Sequence, residues 1–235
     1  MVRVAAVQMK VTGDPDINTE RMASWIKSAK SRNVKIVCFP ETSLISDHTN
    51  IKNASTYLEK ISAACKDSKI FCIFSSYSKE NGKNYNIAYV MDYNGNIVHK
   101  YRKKNLWGIE KKYIKPGNSN RIVKTKYGNI GVIVCYDYAD PKNAAKLKSA
   151  DIIFCPSFMV DYQGARDVIR SFPVMRAFEN MSYLVMCDAF TKRTACMSCI
   201  ASPFRIVKKA GKKENMIVAD ININRIRNLK KKFQQ

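Results

Sequence analysis

Residues 128–141 read GNIGVIVCYDYADP, and this stretch decides the fold class of the chain. The apolar run 131–134 has the composition of a short buried β-strand. It stops at Cys135, and Asp140 followed by Pro141 then supplies an N-cap and a first helical residue. The stretch therefore predicts a strand, a tight turn and a helix with a cysteine at the junction, as in α/β proteins.

The same alternation of strand and helix extends over most of the chain. Between residues 17 and 32, Met22, Trp25, Ile26 and Ala29 recur at helical spacing. By such patterns we expect helices at 17–32, 51–67, 140–149, 163–180 and from Asn224 onward, a turn at 127–129, and strands at 2–9, 34–41, 69–77, 84–92, 96–102, 121–126, 131–134, 151–157, 182–190, 197–209 and 215–221.

A hairpin interrupts the alternation. The apolar segments 84–92 and 96–102 are separated by Asn94 and Gly95, a pair that readily adopts the positive φ angles of a tight turn. Hairpins among βα units favour a mixed sheet over a purely parallel one. We expect an α/β layered sandwich forming a single domain over residues 1–235, because no linker-like composition break divides the chain.

Composition favours a cytoplasmic protein without metal or cofactor. The apolar runs are too short to cross a bilayer, and the first residues lack the pattern of a signal peptide. The chain has 8 cysteines at irregular spacing and 2 histidines, so we expect reduced thiols. Cys196 and Cys199 form a lone C-x-x-C, which we interpret as structural and not as a zinc site.

The net charge of +22 is the unusual feature of the composition. Much of it lies in 100–126 and 205–232, and such a field attracts acidic substrates or partners. The aromatic residues do not follow an RNA-binding pattern, so a solvated lysine-rich surface is the simpler interpretation and nucleic acid is not the expected partner.

Two residues at strand ends are candidates for chemistry. Cys135 is expected to face a helix N-terminus, which would lower the pKa of its thiol and activate it, although a buried core thiol is the alternative. Glu41 follows Pro40 at the end of a strand, where α/β proteins place reactive groups. It could equally cap a helix or be a solvated charge.

A basic stretch supplies the remaining candidates. Lys103 and Lys104 lie where the second hairpin strand ends, and Glu110 is the only acid between residues 100 and 126. Inside such a positive field its carboxylate would stay ionised, which suits an orienting role; a surface ion pair of little value is the alternative.

Taken together, these motifs resemble those of the nitrilase superfamily of carbon–nitrogen hydrolases. CFPE resembles the family's glutamate motif, YRKKNLW its lysine motif and GVIVCYD its cysteine motif. VAAVQM with INTERM, ADIIFCPS and MRAFENMSYLVM resemble the flanking segments in the same order, so the resemblance covers nearly the whole chain.

The resemblance implies a Glu-Lys-Cys triad. Glu41 would be the general base, Lys103 the cation that stabilises the oxyanion and Cys135 the nucleophile, with Glu110 positioning substrate or base. Lys103 is preferred to Lys104 because the family lysine directly follows the YR pair. The backbone N–H of Tyr136 would complete the oxyanion site.

The resemblance also implies a four-layer α-β-β-α sandwich with mixed sheets and a homodimer or higher homo-oligomer. It implies hydrolysis of a small amide or N-carbamoyl compound through a thioester, without metal or cofactor, and the basic surface leaves an acidic substrate as one option. The sequence CYD, where nitrile-hydrolysing members have CWE, favours the amidase or carbamoylase branches. The next residues, YADP, depart from those branches and leave the substrate open. Two alternatives remain: a binding protein for an acidic partner or nucleic acid with little activity, and a thioester-based acyltransferase.

Overall fold

The computed structural model describes residues 1–233, which form two stacked β-sheets of six strands each, with helices on both outer faces. The strands are β1 (Val2–Gln8), β2 (Ile36–Cys38), β3 (Phe71–Glu80), β4 (Lys83–Met91), β5 (Ile97–Arg102), β6 (Val123–Thr125), β7 (Gly128–Val132), β8 (Ile152–Ser157), β9 (Tyr183–Asp188), β10 (Cys199–Ser202), β11 (Arg205–Lys209) and β12 (Asn215–Ile221). The helices are α1 (Pro15–Ser31), α2 (Ser55–Ser68), α3 (Glu110–Tyr113), α4 (Pro141–Ala145), α5 (Arg166–Glu179) and α6 (Ile223–Phe233), with 3₁₀ turns at Cys135–Ala139 and Gln163–Ala165.

Both sheets are mixed. The first has the order β12-β1-β2-β3-β4-β5, and the second β11-β10-β9-β8-β7-β6. In each sheet the central strands run parallel, β1 with β2 and β3, and β7 with β8 and β9. The outer pairs are antiparallel. The mixed sheets expected from the hairpin are confirmed.

Three apolar layers separate the four layers of structure. Between the sheets, side chains such as Ile36 and Ile73 of the first sheet pack with Phe154 and Val185 of the second. The opposite face of the first sheet packs on α1 and α2, and that of the second sheet on α5. Central strands are therefore apolar on both faces, which explains their unbroken apolar sequences and confirms the four-layer sandwich.

Local sequence signals explain where several elements begin. Asp14 caps α1, since its side chain accepts a hydrogen bond from the N–H of Asp16 at 2.8 Å. Asp140 caps α4 in the same way through the N–H of Lys142, at 3.0 Å, as the sequence predicted. Gly95 turns the β4–β5 hairpin with φ of 83°.

Several elements differ from the sequence expectation, among them the short helix α3, which was not expected. Residues 197–209 form two strands, β10 and β11, because the chain turns at Pro203, a residue that cannot donate to a sheet ladder. A second Asn-Gly pair, at 81–82, makes a hairpin of β3 and β4 that the sequence reading overlooked. The helix expected over 140–149 is only the short α4, which ends at Ala145 and continues as turns.

The chain segment after residue 214 joins the two sheets. β12 pairs with β1 over seven residues of the first sheet. Ile223 and Ile226 of α6 then enter the apolar layer between the sheets, and Arg227 forms an ion pair with the buried Asp151 at 2.9 Å. Within residues 1–233, none of the helices combines the length and hydropathy that a membrane crossing requires.

Candidate active site

The candidate residues meet where strands of both sheets reach their carboxyl ends. Glu41 follows β2, Lys103 follows β5 and Cys135 follows β7, while Phe158 directly follows β8. Because these strands point the same way in two stacked sheets, their ends bring together residues that are distant in sequence. The structure thus places Glu41, Lys103, Cys135 and Glu110 around one cavity.

Lys103 is the centre of this cluster. Its side chain is only 2% exposed, and Nζ lies 2.7 Å from Glu41 Oε1 and 2.7 Å from Glu110 Oε2. A buried ammonium ion is tolerated only when it is paired and hydrogen-bonded, and here two carboxylates provide both. Glu110 therefore belongs to a buried cluster of three charges, and not to the surface ion pair that the sequence left as an alternative.

Asn86 in β4 ties the two carboxylates together. Its Nδ2 donates to Glu41 Oε1 at 2.8 Å and to Glu110 Oε1 at 2.9 Å. The hydroxyl of Tyr77 also donates to Glu110 Oε1, at 3.3 Å, and the backbone N–H of Trp107 donates to Oε2 at 3.1 Å. Glu110 is consequently held by four donors when the lysine is included.

The second oxygen of Glu41 connects the cluster to the cysteine. Glu41 Oε2 accepts a hydrogen bond from the backbone N–H of Phe158 at 3.1 Å. The carbonyl oxygen of the same residue accepts from Cys135 Sγ at 3.8 Å. Phe158 therefore holds the carboxylate with one backbone group and the thiol with the other.

The pKa values of the two carboxyl groups move in opposite directions. Burial raises the pKa of Glu41 above its usual range, the charge of Lys103 opposes this, and the charge of Glu110 adds to it. Burial also disfavours the charged form of Glu110, but Lys103 and the donors around it prevail and lower its pKa. Glu41 is thus the carboxylate disposed to take up a proton.

Lys103 remains charged throughout. Burial alone would lower its pKa, but Glu41, Cys135 and Glu110 together raise the pKa well above the usual value. An ammonium ion that keeps its proton acts as a fixed positive charge, which suits stabilisation of a developing oxyanion and not proton transfer.

The expected effect on the thiol was wrong. The sequence suggested that a helix N-terminus would lower the pKa of Cys135, whereas burial, and after it the charge of Glu41, raises that pKa well above the usual value. The helix α4 starts six residues later, and its N-cap is Asp140, so its dipole does not act on the thiol. A thiol in this setting needs a base to remove its proton.

Cys135 lies at a strained point of the backbone. Its φ is 44°, a left-handed value that a non-glycine residue adopts at a cost. Asp137 holds this turn: its carboxylate accepts from the N–H of Val134 at 3.0 Å, from the N–H of Asn105 at 2.8 Å and from the hydroxyl of Tyr101 at 2.8 Å. The cysteine turn is thereby fastened to the chain that carries Lys103.

Two further residues singled out in the sequence, Tyr136 and Lys104, lie in different surroundings. Tyr136 follows the cysteine with its ring 40% exposed at the cavity edge. Lys104 turns away and pairs with Asp140 at 3.3 Å, so the choice of Lys103 over Lys104 agrees with the geometry.

The two cysteines of the C-x-x-C pair are free thiols: Cys199 is buried in β10 and Cys196 is half-buried. Among residues 1–233, no group of three or more side chains is arranged to hold a metal.

Sequence reasoning missed the residues that support the cluster. Asn86 and Asp137 are buried polar residues, fully excluded from solvent. Asn86 directly precedes the buried apolar run 87–91 of β4, and a polar residue at that position was the available signal. Phe158 acts through its backbone, for which the sequence offers no signal.

Two cavities meet at Cys135. One, about 440 Å³, contains Glu41, Lys103 and Glu110 and has His48 and Arg193 at its rim; we call it the triad pocket. The other, about 390 Å³, is the apolar pocket, lined by Trp107, Cys135, Tyr136, Tyr138, Ala139, Phe158, Met159, Val160, Tyr162, Ala165, Val168, Ile169 and Phe172. Cys135 thus lies at the junction of a polar and an apolar cavity.

Comparison with known proteins defines the class. The carbon-nitrogen hydrolase family model matches residues 3–231. The chain is 25% identical over 260 residues to the human (Homo sapiens) omega-amidase NIT2, an alignment covering 98% of this chain and 92% of that protein. It is 25% identical over 257 residues to omega-amidase NIT3 of Saccharomyces cerevisiae, covering 94% and 87%.

Solved structures share the fold. The crystal structure of Saccharomyces cerevisiae Nit3, a member of branch 10 of the nitrilase superfamily, superposes with a TM-score of 0.87 at 25% identity, over 99% of this chain and 94% of that one. A glutamate-to-glutamine mutant of the amidase from Nesterenkonia sp. AN1, with acrylamide added at its active-site cysteine, has a TM-score of 0.87 at 16% identity, over 100% and 98%.

The fold and the family match define a carbon–nitrogen hydrolase. The chain belongs to the carbon–nitrogen hydrolase family, within the nitrilase superfamily. Its relatives include omega-amidases of similar length, and the resemblance recognised in the sequence is confirmed.

Proposed function

We propose that this enzyme hydrolyses an amide through a thioester on Cys135, with Glu41 as general base and Lys103 as oxyanion stabiliser. The observation that carries the proposal is the buried Lys103, held between Glu41 and Glu110 beside a thiol of raised pKa. Such an arrangement provides a base, a fixed positive charge and a nucleophile without histidine or metal.

In the first half of the reaction, Glu41 accepts the thiol proton and Cys135 Sγ attacks the amide carbonyl carbon. Negative charge develops on the carbonyl oxygen, where Lys103 Nζ and the backbone N–H of Tyr136 receive it. As the C–N bond breaks, the protonated Glu41 returns the proton to the departing nitrogen, which leaves as ammonia or an amine.

In the second half, Glu41 takes a proton from water, whose oxygen attacks the thioester carbonyl carbon. The C–S bond breaks, the acid is released, and the proton returns to the thiolate. Glu110, whose lowered pKa keeps it ionised, serves as a positioning residue that holds Lys103 and, through Asn86, Glu41. An amine in place of water would give acyl transfer, and an N-carbamoyl substrate would follow the same steps.

Mass spectrometry of the intact protein tests the nucleophile. On incubation with a panel of primary amides, we expect a transient acyl adduct on Cys135 together with ammonia release, and neither in Cys135→Ala. Glu41→Gln should retain the fold and lose activity by about 10²- to 10⁴-fold. Cys196→Ser, the change of a half-buried cysteine, is the matched control and should remain active. Turnover in Cys135→Ala would refute the proposal.

We also propose that the protein is a homodimer, as the family resemblance implied. In support, Met175 and Phe178 on α5 and Phe204 in the β10–β11 turn are each about half exposed, at 48%, 47% and 51%. Sedimentation velocity should give a dimer, and Phe178→Asp should shift it toward monomer. Ile17→Asp, an equal change on exposed α1, should leave the dimer intact. A monomer at all concentrations of the unaltered chain would contradict the assignment.

A further inference from the structure

This inference rests on the function proposed above. With Cys135 as the nucleophile between two cavities, the structure indicates which part of a substrate occupies each cavity. The carbonyl carbon that Sγ attacks carries three other groups. Its oxygen must face Lys103 and its nitrogen must face Glu41, because these are the groups that stabilise the one and protonate the other. Both lie in the triad pocket, so the acyl chain is directed to the remaining opening, the apolar pocket.

The apolar pocket is suited to a hydrocarbon chain. Among the residues that the structure describes, those that line the apolar pocket carry no charge. Trp107 and Tyr162, which also line it, are 50% and 70% exposed, and a cavity lined by apolar and aromatic side chains is typical of a ligand-binding site. An acyl chain bearing a carboxylate would be desolvated there without a partner, which is costly.

The triad pocket has more room than ammonia requires. Its volume of about 440 Å³ extends from Glu41 to a rim that holds Arg193 and His48. Arg193 is exposed, and none of the ion pairs within residues 1–233 includes it. A free guanidinium at this rim is placed to bind a carboxylate attached to the departing nitrogen.

We propose that the substrate is a secondary amide that joins an apolar acyl group to an amine bearing a carboxylate, that is, an N-acyl amino acid. The acyl chain occupies the apolar pocket and the amino acid's carboxylate meets Arg193. Hydrolysis breaks the C–N bond, transfers the acyl group to Cys135 and then to water, and releases a free amino acid, with the proton supplied by Glu41.

Four synthetic amides separate the two halves of this proposal: N-hexanoylglycine, N-acetylglycine, hexanamide and succinamic acid. We expect N-hexanoylglycine to have the highest kcat/KM. It should exceed N-acetylglycine on the order of a hundredfold, because each buried methylene contributes about fourfold. It should exceed hexanamide about tenfold through the contact of its carboxylate with Arg193.

Variants at Arg193 and Tyr162 test whether each substrate preference arises in the pocket assigned to it. Arg193→Glu should lower the ratio of kcat/KM for N-hexanoylglycine to that for hexanamide by at least about tenfold. Arg205→Glu, with the same change of charge on exposed β11, should leave the ratio unchanged. Tyr162→Asp should lower the ratio of N-hexanoylglycine to N-acetylglycine, and Tyr162→Phe should restore it.

Binding to Cys135→Ala, measured by ligand-observed NMR, tests the inference without turnover. Tighter binding of N-hexanoylglycine than of hexanamide or succinamic acid, lost in Cys135→Ala/Arg193→Glu, supports it even if no amide is hydrolysed, in which case only the proposed activity fails. A preference for succinamic acid, or a ratio that Arg193→Glu does not change, overturns it.

Discussion

At the residue scale, the cluster is a balance of two negative charges against one positive charge, all removed from water. Lys103 cannot neutralise both carboxylates, so the neutral donors around them decide which of the two has the lower pKa. Glu110 receives hydrogen bonds from Asn86, Tyr77 and the N–H of Trp107 and stays ionised. Glu41 receives fewer, and its pKa is raised. The proton affinity of the proposed base is therefore set largely by its neighbours.

Replacing Asn86 tests this balance. In Asn86→Ala both carboxylates lose a donor, so their pKa values rise and the acidic limb of the pH profile of kcat/KM moves to higher pH. The free energy of unfolding should fall by about 1–3 kcal/mol, measured with urea at pH 7, because buried acceptors lose a partner. Asn84→Ala, a half-buried amide of the same strand, is the control. An unchanged pH limb would contradict the role given to Asn86.

Asp188 offers a second test of buried charge. It is fully buried, accepts from the N–H groups of Met159 and Met197 at 2.8 and 2.9 Å, and burial raises its pKa to about 7. Folding thus favours its protonated form, and the stabilisation present below pH 4 is lost as the pH rises to 7, by as much as about 4 kcal/mol.

The measurement is the slope of unfolding free energy against pH between 4 and 7. Asp188→Asn cannot titrate, so its slope should be less negative than that of the unaltered protein, whatever its absolute stability. Asp167→Asn, a change of an exposed carboxylate, should leave the slope as it is. Equal slopes in the Asp188→Asn variant and the parent would contradict the raised pKa.

At this scale, the sequence could predict the residues that lie in recognisable motifs, but not the contacts between residues that are distant in the chain. Glu41, Lys103, Glu110 and Cys135 were found because each belongs to a short run of recognisable residues. The pKa of Cys135 was predicted with the wrong sign, since the pattern indicates a neighbouring helix but not burial or the approach of Glu41, 94 residues away in the chain. Long-range contacts of this kind appear only once the sheets are stacked.

At the element scale, the 3₁₀ turn Cys135–Ala139 is the part that presents the thiol. Its left-handed cysteine persists because Asp137 satisfies three donors with one carboxylate. The apolar run predicted the strand and the tight turn after it, but not the left-handed φ of Cys135, because that conformation is stabilised by contacts of Asp137 with Tyr101 and Asn105 from another part of the chain. The split of 197–209 was predictable, since Pro203 marks it.

Asp137→Asn should disturb the turn. An amide has one acceptor oxygen, and its NH₂ would face N–H or O–H groups that also donate, so we expect a loss of about 1–3 kcal/mol in unfolding free energy. Activity should fall at least about tenfold, with kcat affected more than KM, because Cys135, the proposed nucleophile, is displaced. Asp140→Asn is the control, since asparagine caps helices about as well as aspartate. Unaltered kcat in Asp137→Asn would refute this role.

At the scale of the whole molecule, the charge of +22 is mostly unpaired. The ion pairs within residues 1–233 involve 11 of the 41 lysines and arginines. Repulsion among the lysines and arginines outside these ion pairs destabilises the folded state, and salt screens this repulsion. We expect Tm to rise by about 2–5 °C between 20 and 300 mM NaCl.

A variant of lower charge is the control for this prediction. Changing the exposed Lys208, Lys213 and Lys232 to glutamate lowers the net charge by six, and the rise of Tm with salt should shrink accordingly. A fall of Tm with salt in the unaltered protein would show that specific ion pairs outweigh the general repulsion.

The pairing of β12 with β1 has a consequence for the order of events during synthesis. β1 is synthesised long before β12, so one of its edges waits for residues 215–221, and α6 must then dock against the second sheet. Contacts that span so much of the chain slow folding. The nascent chain therefore carries an open apolar strand edge until residues 215–221 have been made, and chaperones would protect it during that period.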